Sequence, residues 1–176
     1  MAKARLALFS MLEARGLQFP GAVALDLFAG IGSLGLEAVS RGAARAVFVE
    51  NFPPALRAIR ENARLLGLSP ERARIEARDV LAFLRGRAKT PFDLIFIDPP
   101  YGRDLLGPTL TLVCAGGFAA PEALVAAEVE IQVDPEKLTL PGAFRLLADR
   151  RYGQTRMLIW RHETLASPST PEPSIP

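Results

Sequence analysis

At 176 residues, 49% hydrophobic and 23% charged with a net charge of +2, the chain is long enough to bury the core of one domain. No apolar run approaches the roughly 18 to 20 residues that span a bilayer, and the opening stretch carries Lys3 and Arg5 without a signal-peptide core, so a cytoplasmic protein is expected. One cysteine, Cys114, and one histidine, His162, leave no pair for an intrachain disulfide and too few ligands for the usual zinc site; no metal is expected.

Leu8, Met11 and Leu12 form a helical stripe within residues 2–15, closed by Gly16. "AVALDLF" (22–28) reads as a buried strand, "SLGLEAVSRG" as a helix closed by Gly42, and "ARAVFVE" as a second strand, together a β-α-β unit. Pro53 and Pro54 suit the first turn of a helix that runs to Gly67, and "ARIEA" and "VLAFLRG" follow as a third strand and a short helix. "FDLIFID" (92–98) is the fourth and most hydrophobic strand, expected at the centre of the sheet. A helix over 105–115, disturbed near Gly107-Pro108, leads to "ALVAAEVEI" (123–131); "FRLLADRRY" and "QTRMLIWRH" then flank a tight turn at Gly153.

These elements predict an α/β fold: a mainly parallel, seven-stranded sheet with helices on both faces and a C-terminal antiparallel hairpin, its ligand at the carboxyl ends of the central strands. Residues 1–163 make up that domain. The Pro/Ser-rich "TLASPSTPEPSIP", 164–176, reads as a tail.

The first strand runs into "DLFAGIGSLG", which sets Gly30-x-Gly32-x-x-Gly35 at a strand-to-helix turn, the position of a nucleotide-binding loop. Glu50 falls at the end of the second strand, where a carboxylate accepts from the hydroxyls of an adenosine ribose; NAD and S-adenosylmethionine (SAM) both carry one. Asp26, just before the loop, separates the two. A pyrophosphate there meets a like charge, whereas the ammonium and sulfonium of SAM are cations; at about 4 Å and an effective dielectric near 20 the interaction is on the order of 4 kcal/mol before solvation. The alternative for Asp26 is a structural acid bonded to loop amides. Asp79 and Val80, after the third strand, suit the adenine amino group and ring, and helix capping is the alternative for Asp79.

"PFDLIFIDPPYG" (91–102) ends its apolar strand on an acid, two prolines and an aromatic, more than a turn requires. Amine chemistry explains the excess. The lone pair of an exocyclic amine on a base is delocalised, so the nitrogen must pyramidalise to accept a methyl group, and two acceptors holding its N–H groups aim the lone pair. The Asp98 carboxylate is one acceptor and a carbonyl of the Asp98-Pro99-Pro100 turn the other; the prolines stiffen the turn, and Tyr101 stacks on the base.

"DPPY" after an apolar strand, with "LDLFAGIGSLGLEAVSRGA" earlier, the "RLALFSML" helix and "FDLIFIDPPYGRDLL", resembles the bacterial 16S ribosomal RNA guanine-N2 methyltransferase family, class I SAM-dependent enzymes with a DPPY motif. The resemblance covers roughly residues 5–161. It implies SAM contacts at Phe28, Gly30 and Gly32, with Asn51 beside the ribose acid Glu50, adenine contacts at Asp79 and Val80, and chemistry at Asp98, Pro99, Pro100 and Tyr101, with Asp98 also beside the cofactor. It also implies S-adenosylhomocysteine as product, and 16S rRNA or a small-subunit assembly particle as partner of a monomeric enzyme. Such relatives usually carry a basic hairpin and an Arg-Pro-Thr segment before the first helix; here only Arg5 matches, so either the chain begins late or RNA binding is built differently.

All but three of the 21 basic residues are arginine, which grips phosphate and stacks on bases; base composition or heat adaptation accounts for the same bias. Arg103, Arg150, Arg151 and Arg156 are candidates for holding an RNA backbone, with solvated surface charge as the alternative. Cys114 is read as a small core residue, His162 as surface and Trp160 as sheet packing. Competing readings are an amine methyltransferase of DNA or protein, a nicotinamide-dependent oxidoreductase resting on the glycine pattern and Glu50, and a catalytically idle RNA-binding relative.

Overall fold

The computed structural model describes residues 2–163; the proposed tail, 164–176, lies outside the described residues. Helices and strands alternate as α1 (Ala2–Ala14), β1 (Val23–Leu27), α2 (Ser33–Ser40), β2 (Arg45–Glu50), α3 (Pro53–Leu65), β3 (Ala73–Ala77), α4 (Val80–Leu84), β4 (Phe92–Ile97), α5 (Leu106–Ala115) and β5 (Ala119–Glu130), followed by β6 (Phe144–Tyr152) and β7 (Thr155–His162). The seven strands form one sheet in the order β3-β2-β1-β4-β5-β7-β6, with β4 at its centre as its composition predicts. β7 runs antiparallel to both β5 and β6, and the other pairs are parallel.

Alternate residues of each strand feed two cores. On the first face Ala24, Phe48, Phe96 and Ala126 pack against α1, α2 and α3 through Phe9, Leu12, Leu36 and Ile59. On the second, Leu25, Val49, Ile97 and Val125 pack against α4 and α5 through Leu84, Leu110 and Val113. Each large side chain so buried contributes roughly 1.5 to 3 kcal/mol. The burial on both faces explains why the central strands are near-continuously apolar.

Local chemistry sets the element ends. Pro53 opens α3 at a position where the missing N–H costs nothing, and Leu56, Ile59 and Ala63 then form its buried stripe. The helix over 105–115 is not disturbed: α5 runs unbroken from Leu106, with Pro108 in the first turn, where its N–H would have no partner in any case. β5 begins at Ala119, four residues before the predicted start, because Pro121 and Glu122 (φ 63°) interrupt the apolar run without ending the strand; its register against β4 shifts there.

Gly35 on α2 is where two layers meet most closely. A methyl group on it would lie 2.5 Å from Cε1 of buried Phe48 and 3.1 Å from the Asp26 carboxylate. Gly35→Ala is therefore expected to destabilise the fold by about 1 to 3 kcal/mol through overpacking. Chemical denaturation of the variant tests this, and an unchanged midpoint would contradict the packing described.

Candidate active site

β1 and β4 are neighbours whose following chains diverge to opposite faces, which opens a crevice at their carboxyl ends. The Asp98 amide donates to the Leu27 carbonyl at 3.3 Å, so the turn after β4 starts beside the glycine loop after β1. That loop departs through Phe28 (φ 59°), Gly30 (φ 55°) and Gly32 (φ 81°). Positive φ at Phe28 is an uncommon conformation for a side-chain-bearing residue, held here by the Ala29 amide donating to Val49 across to β2.

Glu50 ties the loop to β2. Its Oε2 accepts the Gly30 amide at 2.9 Å, and its Oε1 accepts the amides of Asn51 and Phe52 at 2.8 and 2.9 Å. A carboxylate has about four acceptor positions, so one remains, on Oε2. A single ribose hydroxyl fits it, where the sequence suggested two.

Asp26 lies in β1 and is 1% exposed, with its Oδ2 accepting the Gly35 amide at 2.8 Å. The loop-amide role is thus realised. Burial, with added repulsion from Asp98 and Glu50, pushes this carboxyl up from 3.8 to about 8, so at neutral pH it holds a proton unless a cation approaches. Asp79 caps α4, its Oδ1 accepting the Ala82 amide at 2.8 Å, while Val80 beneath it is buried.

Asp98 is open to water at the crevice mouth but walled closely by protein, and this loss of solvation, then repulsion from Glu128, raises it to about 7. The turn that follows is latched to the far strands. Glu130 of β5 accepts the Gly102 amide, and the Tyr101 hydroxyl lies 3.2 Å from Thr155 Oγ1 at the start of β7. The Tyr101 ring is left 52% exposed, and Ile31 and Phe52, exposed beside the glycine loop, add two further apolar surfaces.

The sequence singled out none of Glu128, Glu130, Thr155, Ile31 or Phe52. The first three become visible only once the strand register is known. Conversely, Arg156 is not a surface cation: it is 7% exposed and paired with Asp149 at 2.5 and 2.7 Å. Arg103, Arg150 and Arg151 are exposed. His162 is half-buried, its Nδ1 2.9 Å from the Ala120 carbonyl; Trp160 is sheet packing as read, and Cys114 packs half-buried against the second core. No group of three His, Cys, Asp or Glu side chains able to hold a metal occurs among the described residues, nor is any described helix long and apolar enough to cross a membrane.

A β3-β2-β1-β4-β5-β7-β6 sheet with its seventh strand reversed defines a Rossmann-like class I methyltransferase, an enzyme class that uses SAM. The structure of the Escherichia coli candidate methyltransferase yhhF superposes with a TM-score of 0.82 at 32% identity, over 93% of this chain and 88% of that one. The chain belongs to the family described as conserved hypothetical protein 95, whose sequence pattern matches residues 1–161. An Escherichia coli protein named ribosomal RNA small subunit methyltransferase D is 35% identical over 139 residues, 79% of this chain and 68% of that protein. A Bacillus subtilis protein named as a candidate rRNA methyltransferase, YlbH, is 33% identical over 162 residues, 90% of this chain and 84% of that protein. Family membership decides between the two ribose-bearing cofactors in favour of SAM.

The raised Asp26 carries a stability signature. Between 3.8 and about 8 the folded state keeps a proton that the unfolded chain has released, so its contribution is full below about pH 4 and is lost as pH rises through about 8. Asp26→Asn keeps an acceptor for Gly35 and should remove that slope. Urea midpoints measured from pH 4.5 to 8.5 should converge on or fall below the variant's as pH rises; parallel profiles would contradict the assignment.

Proposed function

We propose that this enzyme transfers the methyl group of SAM to the exocyclic N2 amine of a guanine in small-subunit (16S) ribosomal RNA, leaving S-adenosylhomocysteine. The observation that carries the reading is the Asp98 carboxylate, with no hydrogen-bond donor among the described residues, on a proline-stiffened turn that adjoins the glycine loop and ends in an exposed aromatic ring. The small-subunit rRNA assignment is supported by the name of the Escherichia coli relative.

The residues present fit SAM. Glu50 keeps one acceptor position for a ribose hydroxyl, next to Asn51, and in the positive-φ loop through Phe28, Gly30 and Gly32 the space over Gly30 is open, with nothing within 4 Å of where a Cβ would sit. Asp79 Oδ2, left over from the helix cap, is an acceptor for the adenine amino group, above the buried Val80. The acids at this edge favour a cation, and a bound one would draw the Asp26 proton affinity down. When bound, SAM supplies an electrophilic methyl group on a sulfonium.

The chain's own residues prepare the acceptor. Asp98 accepts one N–H of the amine and a carbonyl of the Asp98-Pro99-Pro100 turn accepts the other, so the nitrogen lone pair is presented rather than delocalised. An acid raised to about 7 is also matched to taking the proton that the amine sheds. Tyr101, held at its hydroxyl by Thr155, offers its ring face for stacking on a base drawn out of the RNA. Arg103 beside it and Arg150 and Arg151 on β6 are exposed cations available to the RNA backbone. The catalytic unit in this reading is residues 1–163, acting as a monomer in the cytoplasm on 16S rRNA or a small-subunit assembly particle.

Labelled methyl from SAM should enter undermethylated small subunits or their rRNA, and neither DNA nor protein. Asp98→Ala should lower the rate at least about 100-fold while changing SAM affinity far less. Label in DNA or protein, or an unchanged rate in the variant, would overturn the reading.

A further inference from the structure

One acid at the same edge has no role in the chemistry above. Glu128 of β5 follows the last β4–β5 pair, Ile97 with Ala127, as Asp98 does on β4. Its strand sends Leu124 and Ala126 to the first face, as β4 sends Leu94 and Phe96, so Glu128 and Asp98 leave the sheet side by side on that face, one strand spacing of about 5 Å apart. Their proximity is felt: Glu128 is the charge that adds to the raised proton affinity of Asp98.

Other carboxylates at this edge have N–H partners. Asp26 holds the Gly35 amide, Glu50 the Gly30 amide, Asp79 the Ala82 amide and Glu130 the Gly102 amide. Asp98 and Glu128 have none among the described residues, and no ion pair reaches either. Two adjacent acceptor groups without donors are unfavourable in the free protein and become favourable when a ligand brings N–H groups to both.

We propose that Glu128 is the specificity-determining residue that selects guanine, accepting the ring N1–H while Asp98 accepts an N–H of the neighbouring N2 amine. The inference rests on the guanine-N2 reading and adds the means of recognition. Of the four standard bases only guanine presents a ring N–H beside an exocyclic amine. Adenine and cytosine place a ring acceptor there, and its lone pair would face the Glu128 carboxylate. Glu130, two residues on and already committed to Gly102, holds the turn and leaves the reading of the base to Glu128.

The test uses the RNA or subunit substrate with 2-aminopurine at the methylated position. That base keeps the N2 amine but has an acceptor at N1. Wild-type enzyme should methylate guanine at least roughly 10- to 100-fold faster, the effect of one charged hydrogen bond. Glu128→Gln, which can turn its NH2 toward a bare N1 or its carbonyl toward an N1–H, should raise the 2-aminopurine rate and bring the ratio near one. It should also bind the 2-aminopurine RNA more tightly, followed by the fluorescence of that base. Glu128→Ala should slow guanine and, with the carboxylate gone from the bare N1, gain less on 2-aminopurine than Glu128→Gln does, and melting curves of both variants verify folding. Equal wild-type rates on the two bases, or an unchanged preference in Glu128→Gln, would overturn the inference alone. Absence of N2-methylguanine in every wild-type product would overturn the functional reading and this inference together.

Discussion

Four carboxylates, Asp26, Glu50, Asp98 and Glu128, are brought to one edge and one face of the sheet by the parallel register of β1, β2, β4 and β5. Their loss of solvation, with the repulsion among them, is the constraint around which the site is arranged. Backbone amides absorb part of it: Gly35 donates to Asp26, and Gly30, Asn51 and Phe52 donate to Glu50. Loss of solvation, and then the repulsion, leaves two of them with retained protons, Asp26 raised to about 8 and Asp98 to about 7. A site of this kind favours a cation and N–H donors, which are what a sulfonium cofactor and an amine on a base bring.

The reversal of β7 matters to the same edge. A seventh strand parallel to its neighbours would bring its last residues to the crevice; the antiparallel one brings its first, so Thr155 lies opposite Glu130. Between them these two residues hold Tyr101 and Gly102, and the turn after β4 is fixed from the side of the hairpin as well as by its prolines. The hairpin is in turn stiffened by the Arg156–Asp149 pair, which explains why that arginine is not free for RNA.

Most of the fold was legible because strand and helix periods, glycine ends and proline starts are local signals. The glycine loop, Glu50 and the turn from Asp98 to Tyr101 were legible for the same reason: each is a short run whose chemistry is atypical for its position. What the sequence could not supply was register. Glu128 and Glu130 read as ordinary polar positions of an alternating strand, and only pairing with β4 and β7 sets one beside Asp98 and the other against Thr155. Competing uses of the same side chain were also hidden. Asp79 is spent partly on a helix cap, Glu50 has three amides already, and Arg156 finds Asp149 across a turn.

In the proposed reaction the acids of this edge are the recognition surface for SAM and for the amine it methylates. A crystal structure with S-adenosylhomocysteine bound tests it most directly. A ribose hydroxyl should donate to Glu50 Oε2 with the Gly30 amide bond retained, and the sulfur should face the crevice beside Asp98. A cofactor seated away from Glu50, or one whose sulfur is separated from Asp98 by the sheet, would contradict it.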